Sequence, residues 1–199
     1  MSTKSGNIQK VILASSSPRR LEIMAKHGIS PVVMPQDTDE SLPEGIGMTE
    51  AVEMLASAKA RACYEAVKDD PAYDGYIIVG SDTIVWKDEI MGKPADRADA
   101  FRMLDSIRGT HHFVVTGVCL IDKSTGSETV LSDVTTVHCI DYSDEDIEAY
   151  ISSGEPFDKA GSYAIQGGFG RYIDHIDGDY ENVVGLPFYR IEDALEPYI

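Results

Sequence analysis

Apolar runs alternate with helix-like patterns through the first half of the chain. Three apolar runs predict strands, at residues 11–14, 31–34 and 76–79, and the chain stays extended after the third as far as Trp86. Between and after these runs, apolar side chains recur at helical spacing and predict helices over residues 18–27, 49–67 and 95–107. The alternation is typical of an α/β fold with parallel strand pairs.

The pattern changes in the second half. Two long runs predict an antiparallel hairpin, with strands at residues 112–121 and 128–142. A helix with acidic residues in its first turn then begins at Ser143 and ends near Gly154. A glycine-rich loop follows, and residues 187–197 predict a final helix. The sequence therefore predicts an α/β fold in which a mixed sheet has flanking helices and a cleft separates two lobes.

Charge and composition limit the possible partners. The 199 residues carry a formal net charge of −17, which argues against general binding to nucleic acid or to anionic membranes. The three cysteines, Cys63, Cys119 and Cys139, are widely spaced in apolar surroundings, as expected of buried thiols in a reducing compartment. Residues 1–9 are polar, and no apolar stretch approaches the roughly 18 residues of a membrane span. We expect a cytoplasmic protein.

The segment that joins the first strand to the first helix suits a phosphate group. Ser15, Ser16 and Ser17 precede Pro18, and Arg19 and Arg20 follow it. The serines are predicted to cap the helix and to offer hydroxyls, while the free N–H groups of the first turn and two guanidinium groups attract an anion. The alternative is a capped helix with two surface arginines.

Two acidic residues are candidate ligands for a hard cation. Asp82 follows the buried run at residues 76–79, and ligands of open α/β sheets lie at the carboxyl ends of strands. A carboxylate there can hold a cation or orient water. Glu40, in an acidic loop, offers a second oxygen ligand. The alternatives are a turn aspartate and a solvated acid.

Further candidates are polar residues among small neighbours. Lys59 lies among alanines on the long helix, and Lys93 is held in a Gly-Lys-Pro turn. Gln166 sits in the glycine-rich loop, where its amide can donate and accept to the edge of a base. The alternatives are surface lysines and a tight loop. His111 and His112 should point to opposite faces of a strand, so they cannot share one metal ion there, and we expect them to be structural.

Several of these segments, taken together and in this order, resemble the Maf-like family of nucleotide pyrophosphatases. The matching segments are residues 13–20, Asp39-Glu40, Ala58-Lys59-Ala60, residues 80–85, Gly92-Lys93-Pro94, Thr116-Gly117-Val118, residues 160–167 and residues 182–187. The resemblance implies one Maf-like domain over residues 1–199, an elongated two-lobed fold and a homodimer. It also implies cleavage of nucleoside triphosphates to monophosphate and pyrophosphate with a divalent cation, Mg²⁺ or Mn²⁺.

The resemblance also implies roles for the candidates. Asp82 is the proton acceptor, and the specificity positions are Arg19, Thr83 and Gln166; Thr83 resembles the dTTP/UTP subgroup, where a glutamine would resemble the 7-methyl-GTP subgroup. On this basis we expect a phosphate clamp and a metal site. The clamp consists of Arg19, Arg20, Lys59 and Lys93 with the hydroxyls of Ser15 and Ser17, and Asp82 with Glu40 holds the metal or orients the water. Two alternatives stay open, a 7-methyl-GTP pyrophosphatase and a nucleotide-sensing regulator of cell division that does not turn substrate over.

Overall fold

A computed structural model describes residues 9–199, so most of the polar segment 1–9 lies outside the described residues. Seven strands form one mixed sheet: β1 Val11–Leu13, β2 Val32–Val33, β3 Ile77–Lys87, β4 Glu89–Met91, β5 His111–Asp122, β6 Glu128–Cys139 and β7 Ile173–Asp177. Their order is β2-β1-β3-β5-β6-β7, with β4 paired to β3. β1 runs parallel to β2 and β3, and the remaining pairs are antiparallel.

Helices cover both faces of this sheet. They are α1 Pro18–Lys26, α2 Met48–Val67, α3 Arg97–Ile107, α4 Asp144–Ser152, α5 Tyr180–Val184 and α6 Glu192–Leu195. α2 packs on one face, against alternate apolar residues of the central strands. The opposite face carries two separate apolar cores, one built with α1 and α6 and the other with α3 and α4. The predicted mixed α/β sheet with two lobes is confirmed.

Glycines allow α2 to lie directly on the sheet. A Cβ atom on Gly80 of β3 would lie 2.5 Å from the Ala56 carbonyl oxygen, and one on Gly117 of β5 would collide with the backbone of Val52. Only residues without a side chain permit this approach. The close approach of α2 sets the distance of the Lys59 side chain from the sheet, because Lys59 lies between Ala56 and Ala60 on that helix.

β3 continues well past the buried strand predicted at residues 76–79. The stretch predicted to stay extended as far as Trp86 belongs to the same strand, because residues 77–86 all pair with β5. On its other edge β3 pairs with β1 only over residues 77–79 and with β4 only over residues 85–87. Residues 80–84 therefore face a gap in the sheet. Asp82 lies in the middle of a strand, at this gap, and the prediction that it follows a strand end is wrong.

Other differences follow from weak local signals. β7 is not predicted, since it is short and all five of its residues are exposed or partly exposed. The predicted final helix is a single turn at Phe188–Arg190 followed by the short α6. All three cysteines are buried free thiols, as expected. Over residues 9–199, no helix has the length and apolar character needed to cross a bilayer.

Candidate active site

A cleft of about 870 Å³ opens at the gap between β1 and β4, between the two apolar cores. Nine of the sequence-predicted site residues line it: Ser15, Ser17, Arg19, Arg20, Glu40, Lys59, Thr83, Lys93 and Gln166. The tenth, Asp82, lies directly beneath the Lys59 side chain. The cleft thus brings together residues from α1, α2, β3 and four loops.

Lys59 joins the two candidate carboxylates. Its Nζ lies 2.5 Å from Asp82 Oδ1 and 2.7 Å from Glu40 Oε1. Burial alone would lower the pKa of Lys59, but the two carboxylates outweigh burial and raise that pKa above 10.5. The hydrogen bond and charge of Lys59 in turn lower the pKa of Glu40. Lys59 is therefore a fixed positive charge in the cleft.

Arg20 is buried, and three parts of the chain hold it. Its Nε donates to the Gly185 carbonyl at 2.8 Å, and its two terminal nitrogens donate to Ser15 Oγ at 2.9 Å and Thr83 Oγ1 at 3.1 Å. Burial lowers the pKa of Arg20 from 12.5, with Asp82 opposing the shift, but a guanidinium group stays charged in proteins. Three of its five N–H donors are used, and two remain for a ligand.

The serines do not cap α1 as predicted. Ser17 is at the N-cap position, but its side chain makes no capping hydrogen bond. Ser15 Oγ instead accepts from the Ser17 backbone N–H at 3.2 Å and from Arg20. Ser15, on the loop that leads into α1, therefore orients the Arg20 guanidinium, because its hydroxyl accepts a hydrogen bond from that group.

A chain of hydroxyls begins at Arg20 on the face of the sheet opposite α2. Arg20 donates to Thr83 Oγ1, which lies 2.9 Å from Thr116 Oγ1, and Thr116 donates to the Asn182 carbonyl at 2.9 Å. Since Thr116 has used its only proton, Thr83 must donate to Thr116. Thr83 is left with one acceptor site and no donor for a ligand.

Sequence reasoning gave no separate role to Thr116, Asn182 or Gly185. Thr116 is the direct cross-strand partner of Thr83, and Gly185 has a φ of 124° and brings its backbone against Thr83 and Arg20. Lys159, a further cation of the cleft wall, was also not predicted. Their placement depends on strand register and on a loop far along the chain.

The sequence comparisons with known proteins agree on one family. The sequence profile described as Maf-like protein matches residues 10–198. A protein of Geotalea uraniireducens (strain Rf4) is 46% identical over 190 residues, with 93% of each chain covered. One of Citrifermentans bemidjiense is 45% identical over 186 residues, with 93% of each covered. One of Caldicellulosiruptor bescii is 40% identical over 190 residues, covering 95% of this chain and 94% of its own length.

Each of these three relatives is named a dTTP/UTP pyrophosphatase. Among solved structures, the Staphylococcus aureus Ham1 protein has a TM-score of 0.44 and 12% identity over 65% of this chain and 71% of that one, a likeness too remote to bear on the site.

Proposed function

We propose that this chain, which belongs to the Maf-like protein family, hydrolyses dTTP and UTP to the nucleoside monophosphate and pyrophosphate. The observation that carries the proposal is the cleft at the gap in the sheet, which Arg20 and Lys59 line and beneath which Asp82 pairs with Lys59. The relatives named dTTP/UTP pyrophosphatase, at 40–46% identity, support the choice of substrate.

The cations of the cleft bind the triphosphate. The net charge of −17 repels a polyanion, so its binding depends on local positive charge. Arg20 uses its two remaining donors on phosphate oxygens, and the held position of its guanidinium lowers the entropy lost on binding. Arg19, Lys59 and Lys93 add charge, and the hydroxyls of Ser15 and Ser17 add hydrogen bonds.

A divalent cation, Mg²⁺ or Mn²⁺, fits the carboxylates of Asp82 and Glu40. The donor set supports this, because two carboxylates already converge on one positive group, the Lys59 ammonium, and hard cations prefer oxygen ligands. When bound, such a cation would neutralise part of the negative charge on the phosphate oxygens.

Asp82 orients a water molecule toward the α-phosphorus and accepts its proton. The water oxygen forms a bond to the α-phosphorus, and the bond from that phosphorus to the oxygen bridging the α- and β-phosphates breaks. Pyrophosphate leaves with the bond's electron pair, and the positive groups of the cleft stabilise its charge.

Thr83 and Gln166 read the pyrimidine ring. Thr83 can only accept, and the ring N3–H of thymine and uracil is a donor, whereas cytosine has an acceptor at that position. Gln166 offers an amide that both donates and accepts.

The first test is pyrophosphate release from a panel of dTTP, UTP, dCTP, dATP, GTP and 7-methyl-GTP, with Mg²⁺, Mn²⁺ or chelator. Asp82→Asn should lower the rate on dTTP and UTP by about 10²–10⁴-fold, since a positioned base contributes that much. Asp133→Asn is the control, because it alters a carboxylate on β6 that accepts from Tyr189 outside the cleft. Near wild-type turnover in Asp82→Asn would refute the catalytic assignment.

A second test addresses the base. Thr83→Val should reduce the preference for dTTP and UTP over dCTP, whereas Thr83→Ser keeps the hydroxyl and should preserve it. An unchanged preference in Thr83→Val would remove this residue from base recognition.

We also propose a homodimer of single-domain subunits. Exposed Val130 and Val134 lie four residues apart on one face of β6, where a second copy of this chain could cover them. Light scattering at assay concentrations should give twice the chain mass, and a monomer there would contradict this. A single cooperative unfolding transition is expected for one domain, and two separate transitions would contradict it.

A further inference from the structure

Three histidines lie side by side across three neighbouring strands, outside the cleft. His111 of β5 pairs directly with His138 of β6, and His138 pairs directly with His175 of the edge strand β7. Directly paired residues place their side chains on the same face of a sheet. The ring centroids are 5.6 Å apart for His111 and His138 and 4.1 Å apart for His138 and His175. The proposed nucleotide chemistry uses none of these rings.

Two of the rings direct a nitrogen toward one carboxylate. His138 Nε2 lies 3.0 Å from Asp177 Oδ2, and His175 Nε2 lies 3.9 Å from the same oxygen. One ligand atom from each of the three side chains lies within 4.8 Å of the others. Two ligands held about 2.0 Å from a tetrahedral ion are separated by about 3.3 Å, so the three ligand atoms are close enough to share one ion once the two rings, whose planes are 9° apart, rotate out of their stacked arrangement.

A further carboxylate orients one of the imidazoles. His175 Nδ1 lies 2.8 Å from Asp174 Oδ2, which can only accept when ionised. The proton of a neutral His175 ring is therefore on Nδ1, and Nε2 keeps its lone pair toward Asp177. This carboxylate–histidine pair is the arrangement that fixes ligating histidines in metal sites.

The local charge also suits a cation. Asp174 and Asp177 bring two carboxylates, and the positive group nearby, Lys87, donates to the His111 carbonyl and to Thr110 Oγ1 at 2.6 and 3.2 Å.

We propose that His138, His175 and Asp177 form a binding site for one divalent transition-metal ion, such as Zn²⁺, Co²⁺ or Ni²⁺, with Asp174 as a positioning residue. Two imidazole nitrogens and one carboxylate oxygen prefer such ions to Mg²⁺, whereas the carboxylates of the cleft are hard oxygen ligands. The ion links the edge strand β7 to β6. The site is independent of the proposed hydrolysis.

The test uses tag-free protein freed of metal with chelator, because an affinity tag of histidines would bind the same ions. Titration with Co²⁺, followed by its visible absorption, and calorimetry with Zn²⁺ should each show a site that His175→Gln and Asp177→Asn abolish and that Asp82→Asn, which alters the cleft, leaves intact. Asp174→Asn should weaken binding by about 10–100-fold, as loss of such a partner does elsewhere. Zn²⁺ should raise the Tm of wild type more than that of His175→Gln.

His27→Gln is the matched control. It removes a histidine that also contacts a carboxylate, Glu181, at 2.9 Å, but outside this cluster. Its Co²⁺ binding should equal that of wild type. The proposal is overturned if wild type binds no ion, if His175→Gln binds as well as wild type, or if Asp82→Asn abolishes the Co²⁺ signal instead, which would assign the ion to the cleft.

Discussion

Gly80→Ala should damage both the fold and the cleft, because it puts a methyl group where α2 meets the sheet. The new Cβ would lie 2.5 Å from the Ala56 carbonyl oxygen and 2.7 Å from the Ala60 nitrogen. Both are backbone atoms, so no side-chain rotation relieves the contact. The helix has to retreat by about half an ångström before the first contact reaches 3.0 Å, a value that real Cβ atoms rarely go below.

The size of the effect follows from two opposing contributions. Forcing an extra methyl group into a packed core costs about 1–3 kcal/mol. Alanine recovers roughly 0.5–1 kcal/mol relative to glycine in a strand, because the unfolded chain loses freedom. The free energy of unfolding, measured in urea titrations, should therefore fall by up to about 2.5 kcal/mol.

The same shift should slow the reaction. Lys59 lies between Ala56 and Ala60, so the retreat of α2 carries its ammonium away from Asp82, now 2.5 Å distant. A displacement below 1 Å should lower kcat/KM on dTTP by roughly tenfold to 100-fold, measured by pyrophosphate release.

Gly47→Ala is the control for this experiment. Gly47 is the N-cap of the same helix, with a φ of −70°, and a Cβ there has nothing within 4 Å. It should cost less than about 1 kcal/mol and leave kcat/KM unchanged. If Gly80→Ala matches Gly47→Ala in both measurements, the close approach of α2 does not set the position of Lys59.

Three further predictions concern the fold. Burial lowers the pKa of His112 from 6.5 to about 3, so below pH 6.5 the unfolded chain takes up a proton that the folded chain does not. The free energy of unfolding should thus fall by up to about 1.4 kcal/mol per pH unit below 6.5, and urea titrations of His112→Gln should show a shallower slope between about pH 5 and 6.5. Asn182 is fully buried and donates to the Val114 carbonyl and to Thr135 Oγ1, so Asn182→Ala should cost about 1–3 kcal/mol in the same assay. Ser143 caps α4 in a reciprocal capping box, and Ser143→Ala should lower the unfolding free energy by about 1 kcal/mol, with no change indicating that the cap is replaced by water.

The parts of this fold that the sequence predicts are those with strong local patterns. The β5–β6 hairpin and α2 carry long periodic stretches, and the capped start of α4 carries its own signal. β7 escapes prediction because its stability comes from pairing with β6, and its side chains, exposed or partly exposed, give no apolar pattern.

The candidate site likewise contains some residues that the local sequence identifies and others that only the fold reveals. Charged residues in distinctive local settings, such as Arg20 and Lys59, can be found in the sequence. Thr116 cannot, because its importance comes from lying opposite Thr83 on another strand. The row of histidines cannot be predicted from the sequence for the same reason, because only the strand register shows that His138 and His175 are neighbours.

The bonds of Arg20 have a consequence for how the protein is made. Its guanidinium joins Ser15, Thr83 and Gly185, and the last of these lies 165 residues further along the chain than Arg20 itself. On the ribosome, the first two partners emerge well before the third. A nascent chain therefore completes its anion-binding centre only near the end of translation, and a product that stops before Gly185 leaves this arginine without its backbone acceptor.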